Sequence, residues 1–442
     1  METKKQESKN SNSSKKIKGI SKDKIKKQGK NPETPKTKFN TSKQLQREIL
    51  SSQEFNLQPK TVLSINILNK EYDYYDNALF SNKQFGYLKS FGYNTFQGLV
   101  KDYNEDKIIV ISQIKKPASS KIKQWPKMSY FAIFDGHGGE GCSKFLADNF
   151  LKYLMENKNF PYDIKLSLTE TFDKIEEEFF KQKCCDTLEQ SDRSGSCAII
   201  SLILDNKIFI ANLGDSRAII SQSGGTKIKQ LTNDHKPNNL KEFERAIKNG
   251  SKVYFDDQER PKSDVSNLFF IKEKNDFDKI YKNRRNNKGE IIIFREHPSN
   301  LAVMRSIGDI KSKKKEFGGN PGSIINKPEI YVNDINTNND FIVMGCDGIF
   351  DDLSNEEVVN AAWYIFKNES KNKNYDIHEL TREACDMIMK CGLEKKTQDN
   401  LSCIVIGLEG LEKFLKNKST QEKINLNINN FNRDLKKAQI LK

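Results

Sequence analysis

Residues 131–139, FAIFDGHGG, decide how the rest of this chain is read. Phe131 to Asp135 reads as a buried strand ending on an acid, followed by a Gly136-His137-Gly138-Gly139 turn and an amphipathic segment. Such a stretch puts a hard oxygen ligand and a titrating imidazole on one tight turn. The glycines permit positive φ and close backbone approach, so the Gly136 carbonyl can itself be a ligand. Taken alone, a strand-ending acid is equally well a plain turn. Recurrence gives it weight: Asp106, Asp215, Asp347 and Asp399 also sit at the edges of apolar strands.

Upstream, Tyr87–Val100 reads as a first strand and turn, and Lys101-Asp102-Tyr103-Asn104-Glu105-Asp106 ends in an acidic pair before an alternating strand over 107–114. Downstream, a helix is expected at about 140–155, with Leu146, Phe150 and Leu154 on one face. A second helix carries Ile164, Leu168, Phe172, Ile175 and Phe179 as a stripe that reads as core packing. Strands at 196–204 and 207–213 flank Asp205-Asn206, a two-residue hairpin signal, and Gly224-Gly225 separates strands at 218–222 and 226–231. A short helix containing Glu244 and Arg245 follows DHKP (234–237). Residues 251–300 are charged and irregular, an exposed elaboration with a hairpin expected near 291–294. A buried strand at 341–346, helices at 355–367 and 376–391, and a last core strand at 401–407 complete the pattern. Strand runs interspersed with helix pairs point to an α+β fold of stacked sheets with helices outside, not to regular βαβ alternation.

The chain has 442 residues and a formal net charge of +14, and the location of that charge matters. Residues 1–47 carry 15 Lys/Arg against 4 Asp/Glu, a net +11, and residues 411–442 carry 8 against 3, a net +5. The body between them, 48–410, has 51 bases and 53 acids and is nearly neutral. The basic character therefore belongs to the tails, which argues against a nucleic-acid-binding fold. Residues 1–47 are Lys/Ser/Asn-rich without periodicity and are expected to be a disordered basic tail. Within it KKIKGISKDKIKK (15–27) is either a solubilising run or a nuclear-import or acidic-surface patch. Residues 48–84 form a lead-in, and a short helix is expected near 431–441 of the basic C-terminal tail.

METKKQESKN has no apolar core of a signal peptide, Met1-Glu2 excludes N-myristoylation, and the apolar runs are too short to span a membrane. The eight cysteines lack CxxC spacing and several lie in apolar runs, so an intracellular, cytoplasmic or nuclear, setting is expected.

Carboxylates that gather in one place repel, and desolvation adds to the cost, so a cluster of these acids needs protons or cations between its members. Oxygen-only ligands, with no His or Cys at metal spacing, favour Mg²⁺ or Mn²⁺ over Zn²⁺. Two such ions about 3.5–4 Å apart can share an aspartate and a bridging water, which then suits in-line attack on phosphorus.

The ordered series NED, FDGHGG, SGSC, GDSRA, DHKP, LAVMRSIGD, CDGIFD and TQDN resembles the metal-dependent protein serine/threonine phosphatases of type 2C, over roughly residues 85–410. Each motif is short, and their joint order and spacing make the match specific. The resemblance implies a central sandwich of two antiparallel β-sheets flanked by helices on both outer faces. It implies hydrolysis of phosphoserine and phosphothreonine in proteins by a metal-bridging hydroxide. Asp135 is then expected to bridge two Mg²⁺ or Mn²⁺ ions, the Gly136 carbonyl to bind one of them, and Asp347 and Asp399 to hold the other. Glu105 and Asp106 match the acids that reach metal-bound waters. Asp215 and Asp351, alongside Asp347, match positions that hold a weaker third metal in family members. His137 matches the general acid that protonates the departing alkoxide. Phosphorylated proteins are the expected partners, with no nucleic acid and no membrane span, and the chain is expected to act as a monomer.

Lys101 departs from the pattern. The family commonly has Arg there, contacting the substrate phosphate, and Lys keeps the charge but loses the planar fork. Phosphate binding is expected to persist with less directionality. Cys197 stands where SGST would be usual. The 251–300 insertion overlaps the region that the family uses as a flap beside the active site. A binding scaffold with little turnover is the alternative reading, and Lys101 is its one support. Other expectations are modest: His235 occupies a structural position, Arg217 and Arg305 brace loops, and His297 and His378 lie at the surface.

Overall fold

The computed structural model describes residues 67, 69–118, 120–256, 270–271, 293–369 and 376–416. The expected basic tail over 1–47, the helix near 431–441 and most of the 251–300 insertion lie outside the described residues. In chain order the strands are β1 (Leu79–Phe80), β2 (Ser90–Phe96), β3 (Lys107–Ile111), β4 (Met128–His137), β5 (Gly195–Leu204), β6 (Lys207–Leu213), β7 (Arg217–Gln222), β8 (Lys227–Gln230), β9 (Lys252–Asp256), β10 (Phe270–Ile271), β11 (Ile293–His297), β12 (Ile307–Gly308), β13 (Glu329–Asp334), β14 (Asn339–Gly345) and β15 (Leu401–Gly407). The helices are α1 (Gly141–Glu156), α2 (Ile164–Lys183), α3 (Leu240–Lys248), α4 (Ile310–Lys313), α5 (Asp347–Phe350), α6 (Asn355–Glu369), α7 (Ile377–Glu394) and α8 (Glu409–Lys416).

Two antiparallel sheets stack face to face. One runs β1-β2-β15-β14-β7-β8; the other runs β13-β6-β5-β4-β3, with β12 beside β5. The reason β4 reads as an unbroken apolar run is that both of its faces are covered. Phe131 and Ile133 point between the sheets, where they meet Ile219, Val343 and Val405 in one core. Ala132 and Phe134 point outward, into a second core with Leu146 and Phe150 of α1 and Leu168 and Phe172 of α2. Alternate residues of a strand face opposite ways, so a strand between two apolar layers needs apolar residues throughout. Each phenylalanine buried this way contributes about 1.5–3 kcal/mol. The opposite sheet is covered by α6 and α7, through Val359, Phe366, Leu380 and Ile388.

Local chemistry sets the ends of these elements. Asp163 caps α2 by accepting from the Leu166 N–H at 3.0 Å, and Asp376 caps α7 by accepting from the His378 N–H at 2.9 Å. Asp205, at φ +49°, makes the β5–β6 turn with Asn206. In the longer β7–β8 turn, the Gly224 and Gly225 N–H groups both donate to Asp340 at 3.1 Å. The lead-in also belongs to the packed body: the Tyr75 hydroxyl and the Ala78 N–H donate to Asp386 of α7, each at 2.8 Å.

Two expectations change. β4 does not stop at Asp135; Gly136 and His137 continue the ladder opposite Ser196 and Gly195 of β5. The hairpin expected near 291–294 is not local, because β11 pairs with β9 across the insertion, and β10 pairs on the other side of β9. Periodicity reveals a strand but not its partner. No described helix is long and apolar enough to cross a membrane.

Candidate active site

Antiparallel order brings the end of β2, the end of β4, the β6–β7 turn, the end of β14 and the start of β15 to one end of the sandwich. Asp135, Asp215 and Asp347 arrive there from three of these segments, and one carboxylate oxygen of each lies within 4.8 Å of the others. Asp135 Oδ2 is buried and has no hydrogen-bond partner among the described residues. Desolvation raises the Asp135 carboxyl well above its ordinary range, and the charges of Asp347, Asp106, Asp215 and Asp399 add to the effect. Asp347 is raised in the same way, by burial and then by Asp215, Asp351 and Asp399. Burial pushes Asp106 up to about 6, against hydrogen bonds from Ser402 (2.7 Å) and Cys346. All-oxygen donors, unfavourable mutual charge and an orphaned buried oxygen together fit a site for hard divalent cations.

The backbone beneath Asp135 is closely packed. A Cβ at Gly136 would lie 2.5 Å from the Glu105 carbonyl oxygen and 2.7 Å from Ser143 Oγ, so only glycine fits there. Gly138 and Gly139 take φ of +67° and +122°, and the Gly139 N–H donates to Glu105 Oε1 at 2.7 Å. The GHGG turn thus holds one of the acids expected from the sequence.

Two lysines enter the acids. Lys101 Nζ lies 2.7 Å from Asp399 Oδ1 and 3.6 Å from Glu105 Oε2. Burial works to lower its pKa, but these carboxylates hold it above the usual lysine range. Lys236, in DHKP, sits 3.4 Å from Asp215 Oδ2 and forms a short ion pair with Asp351. It too is driven up well beyond what burial opposes. Asp215 therefore groups with Asp135 and Asp347, whereas Asp351 is drawn toward Lys236.

His137, the last residue of β4, turns to Asp309. Its Nε2 lies 2.9 and 3.0 Å from the two carboxylate oxygens. Burial lowers the pKa of the ring, and the Asp309 charge and hydrogen bond more than reverse this.

Several residues here were not singled out from the sequence. Asn400 joins two turns: its side chain accepts from the Glu105 N–H at 2.9 Å and donates to the Gln97 and Tyr103 carbonyls at 2.7 and 3.1 Å. Asp309 and Lys236 lie inside quoted motifs, yet their partners come from 172 and 115 residues away. No local pattern shows that. Arg217 pairs with Asp234 at 2.5 Å and Arg305 with Glu242 at 2.6 Å, and both tie loops together. His235 is buried and accepts from the Gly214 N–H at 3.1 Å. His297 and His378, expected at the surface, are half-buried, and His378 bonds Ser81 Oγ at 2.6 Å.

A model of the protein phosphatase 2C family matches residues 91–401. A probable protein phosphatase 2C 27 from Arabidopsis thaliana is 27% identical over 306 residues, covering 69% of this chain and 66% of the relative. A probable protein phosphatase 2C 5 from Paramecium tetraurelia is 26% identical over 291 residues, covering 64% and 83%. This chain thus spans about two thirds of the Arabidopsis relative and more of the Paramecium one. Among solved structures, a serine-threonine phosphatase 2C from Toxoplasma gondii matches with a TM-score of 0.51 at 17% identity, covering 75% of this chain and 99% of that one. At that identity the likeness speaks for the fold.

Proposed function

Since this chain belongs to the protein phosphatase 2C family, we propose that it is a metal-dependent enzyme that removes phosphate from serine and threonine in phosphorylated proteins. The observation that carries the metal dependence is the buried, unpartnered Asp135 Oδ2 amid Asp215 and Asp347. Asp135, the Gly136 carbonyl, Asp347 and Asp399 would hold a pair of Mg²⁺ or Mn²⁺ ions, with Glu105 and Asp106 reaching their waters. Asp215 and Asp351, with Asp347, would hold a weaker third ion, in competition with Lys236. Bound there, the cations supply Lewis acidity and an acidified water for attack on phosphorus.

The remaining work falls to the chain itself. Lys101 offers its ammonium, which it shares with Asp399, to the phosphoryl oxygens. His137 supplies a proton to the serine or threonine oxygen, which is a poor leaving group if it departs charged. Glu105 holds the Gly139 N–H, which keeps the GHGG turn and His137 in place.

One assay tests this reading: hydrolysis of phosphoserine and phosphothreonine peptides beside a phosphotyrosine peptide, with Mn²⁺, with Mg²⁺ and after EDTA. Turnover of the first two that needs added cation supports it, and activity that survives EDTA overturns it. A binding scaffold without turnover has one observation in its favour, the engagement of Lys101 by Asp399. Binding of the peptides without phosphate release would establish that reading instead.

A further inference from the structure

Asp309, not a member of the acid cluster, is what holds His137. Its carboxylate is buried and clamped: the Ser306 hydroxyl donates to Oδ2 at 2.5 Å, and the Asp309 N–H donates to the Ser194 carbonyl at 3.0 Å. The residue keeps a left-handed φ of +54° to do this. Gly195, paired with His137 in the β4–β5 ladder, passes so close that a Cβ there would overlap both the Asp309 carboxylate and His137 Nε2. An ionised carboxylate only accepts hydrogen bonds, so the ring nitrogen facing it carries a hydrogen. His137 Nδ1 makes no hydrogen bond to any described protein group and is left as the ring atom that can serve a substrate.

We propose that Asp309 is a positioning residue for the reaction, fixing the His137 ring so that Nδ1–H is aimed at the departing oxygen. The proposal rests on the reading of His137 as proton donor given above. In that step the phosphorus–oxygen bond to serine or threonine breaks and its electron pair goes to the leaving oxygen. The Nδ1–H bond breaks with its pair staying on the ring, and the proton joins that oxygen, so a neutral hydroxyl departs. The attacking water's oxygen forms the new bond to phosphorus, its surplus proton goes to solvent, and the ring regains a proton from solvent. The neutral ring left between these events has its hydrogen on Nε2, facing Asp309, which stays a carboxylate throughout.

Leaving-group dependence separates this role from a structural one. Asp309→Ala and Asp309→Asn are to be compared with the unaltered chain in Mn²⁺, on a phosphothreonine peptide and on p-nitrophenyl phosphate, whose phenolate departs without a proton. For Asp309→Ala we expect kcat on the peptide to fall about 30–300-fold with KM within about 2-fold, and kcat on p-nitrophenyl phosphate to fall less than about 3-fold. Adding the change to His137→Ala should lower the peptide rate no further. Equal losses on both substrates, or an undiminished peptide rate, would overturn the proposal. If the alanine variant does not fold, the near-isosteric asparagine variant with an unchanged melting temperature decides, on the same pattern. A failure of the phosphatase reading looks different: the unaltered chain itself would release no phosphate from the peptide.

Discussion

The two halves of the active site handle charge in opposite ways. Around Asp135, Asp215 and Asp347 the fold collects carboxylates, and among the described residues a buried oxygen is left without a partner. At His137, two residues further along β4, and Asp309, just after β12, the protein supplies both members of the pair and clamps the acid with Ser306. On the function proposed above, bound cations complete the first half, which should respond strongly to them; the second half has its counter-charge within the folded chain and should not. The contrast teaches that burial alone does not decide how an acid behaves: what matters is whether its counter-charge is covalently part of the chain.

The largest effect expected from this contrast is on turnover. Asp135→Asn should lower kcat on a phosphopeptide by roughly a thousandfold or more, because it removes the carboxylate at the centre of the cluster. The same variant should melt no lower than the unaltered chain when cations are absent, since one repelling charge is gone. Full activity in that variant would remove Asp135 from the reaction, and a large loss of stability would mean that its charge is already balanced within the fold.

Stability without cations comes next. Lys236→Met takes an ammonium away from Asp215 and Asp351, and the melting temperature in EDTA should fall by roughly 5–10 °C. Calorimetry should then show a larger gain on adding Mn²⁺ than in the unaltered chain. An unchanged melting temperature would show that Lys236 is a bystander in the acidic half.

A smaller effect concerns pH. Asp106 is pushed up to about 6, so its folded state favours the protonated form. The stability this gives is present in full below the ordinary carboxylate pKa of about 4 and is lost as pH rises through 6. The cation-free protein should therefore melt a few degrees lower at pH 7.5 than at pH 5, and saturating Mg²⁺ should raise the melting temperature more at pH 7.5. A pH-independent gain would contradict the uncompensated charge assigned to this half.

The smallest change is expected from Lys101→Arg. The ammonium bridges Asp399 and Glu105, and a guanidinium can keep both contacts while offering a fork to phosphate. KM for a phosphothreonine peptide should be unchanged or lower by about 2–5-fold. A large rise would mean that the compact ammonium itself is required between these acids.

Much of the framework was legible in the sequence because its signals are local. Leu401–Gly407 is the last strand as read, and the stripe from Ile164 to Phe179 is a buried helix face. FDGHGG brings Asp135 to the acid cluster, although glycine at 136 suggested that the strand had ended. The ladder continues instead, because Gly136 lies flat between the Glu105 carbonyl and Ser143. Asp309, Lys236 and Asn400 were not legible as partners. Each reads as an ordinary polar residue in a short motif, and its meaning comes from a side chain that folding brings from more than a hundred positions away. The β9–β11 pairing was hidden for the same reason, with a long charged insertion between its strands.

The contacts of the lead-in with α7 bear on where this protein can be cut. The resemblance to the phosphatases begins near residue 85, but Asp386 is only 1% exposed and two of its hydrogen bonds come from Tyr75 and Ala78. Trimming to the first recognisable motif would strip those donors from an acid sealed in the interior and bare the side of α7 beneath them. A shortened version meant for crystals or assays should begin before Lys70, which reaches Glu394 at 2.6 Å, or it will tend to clump.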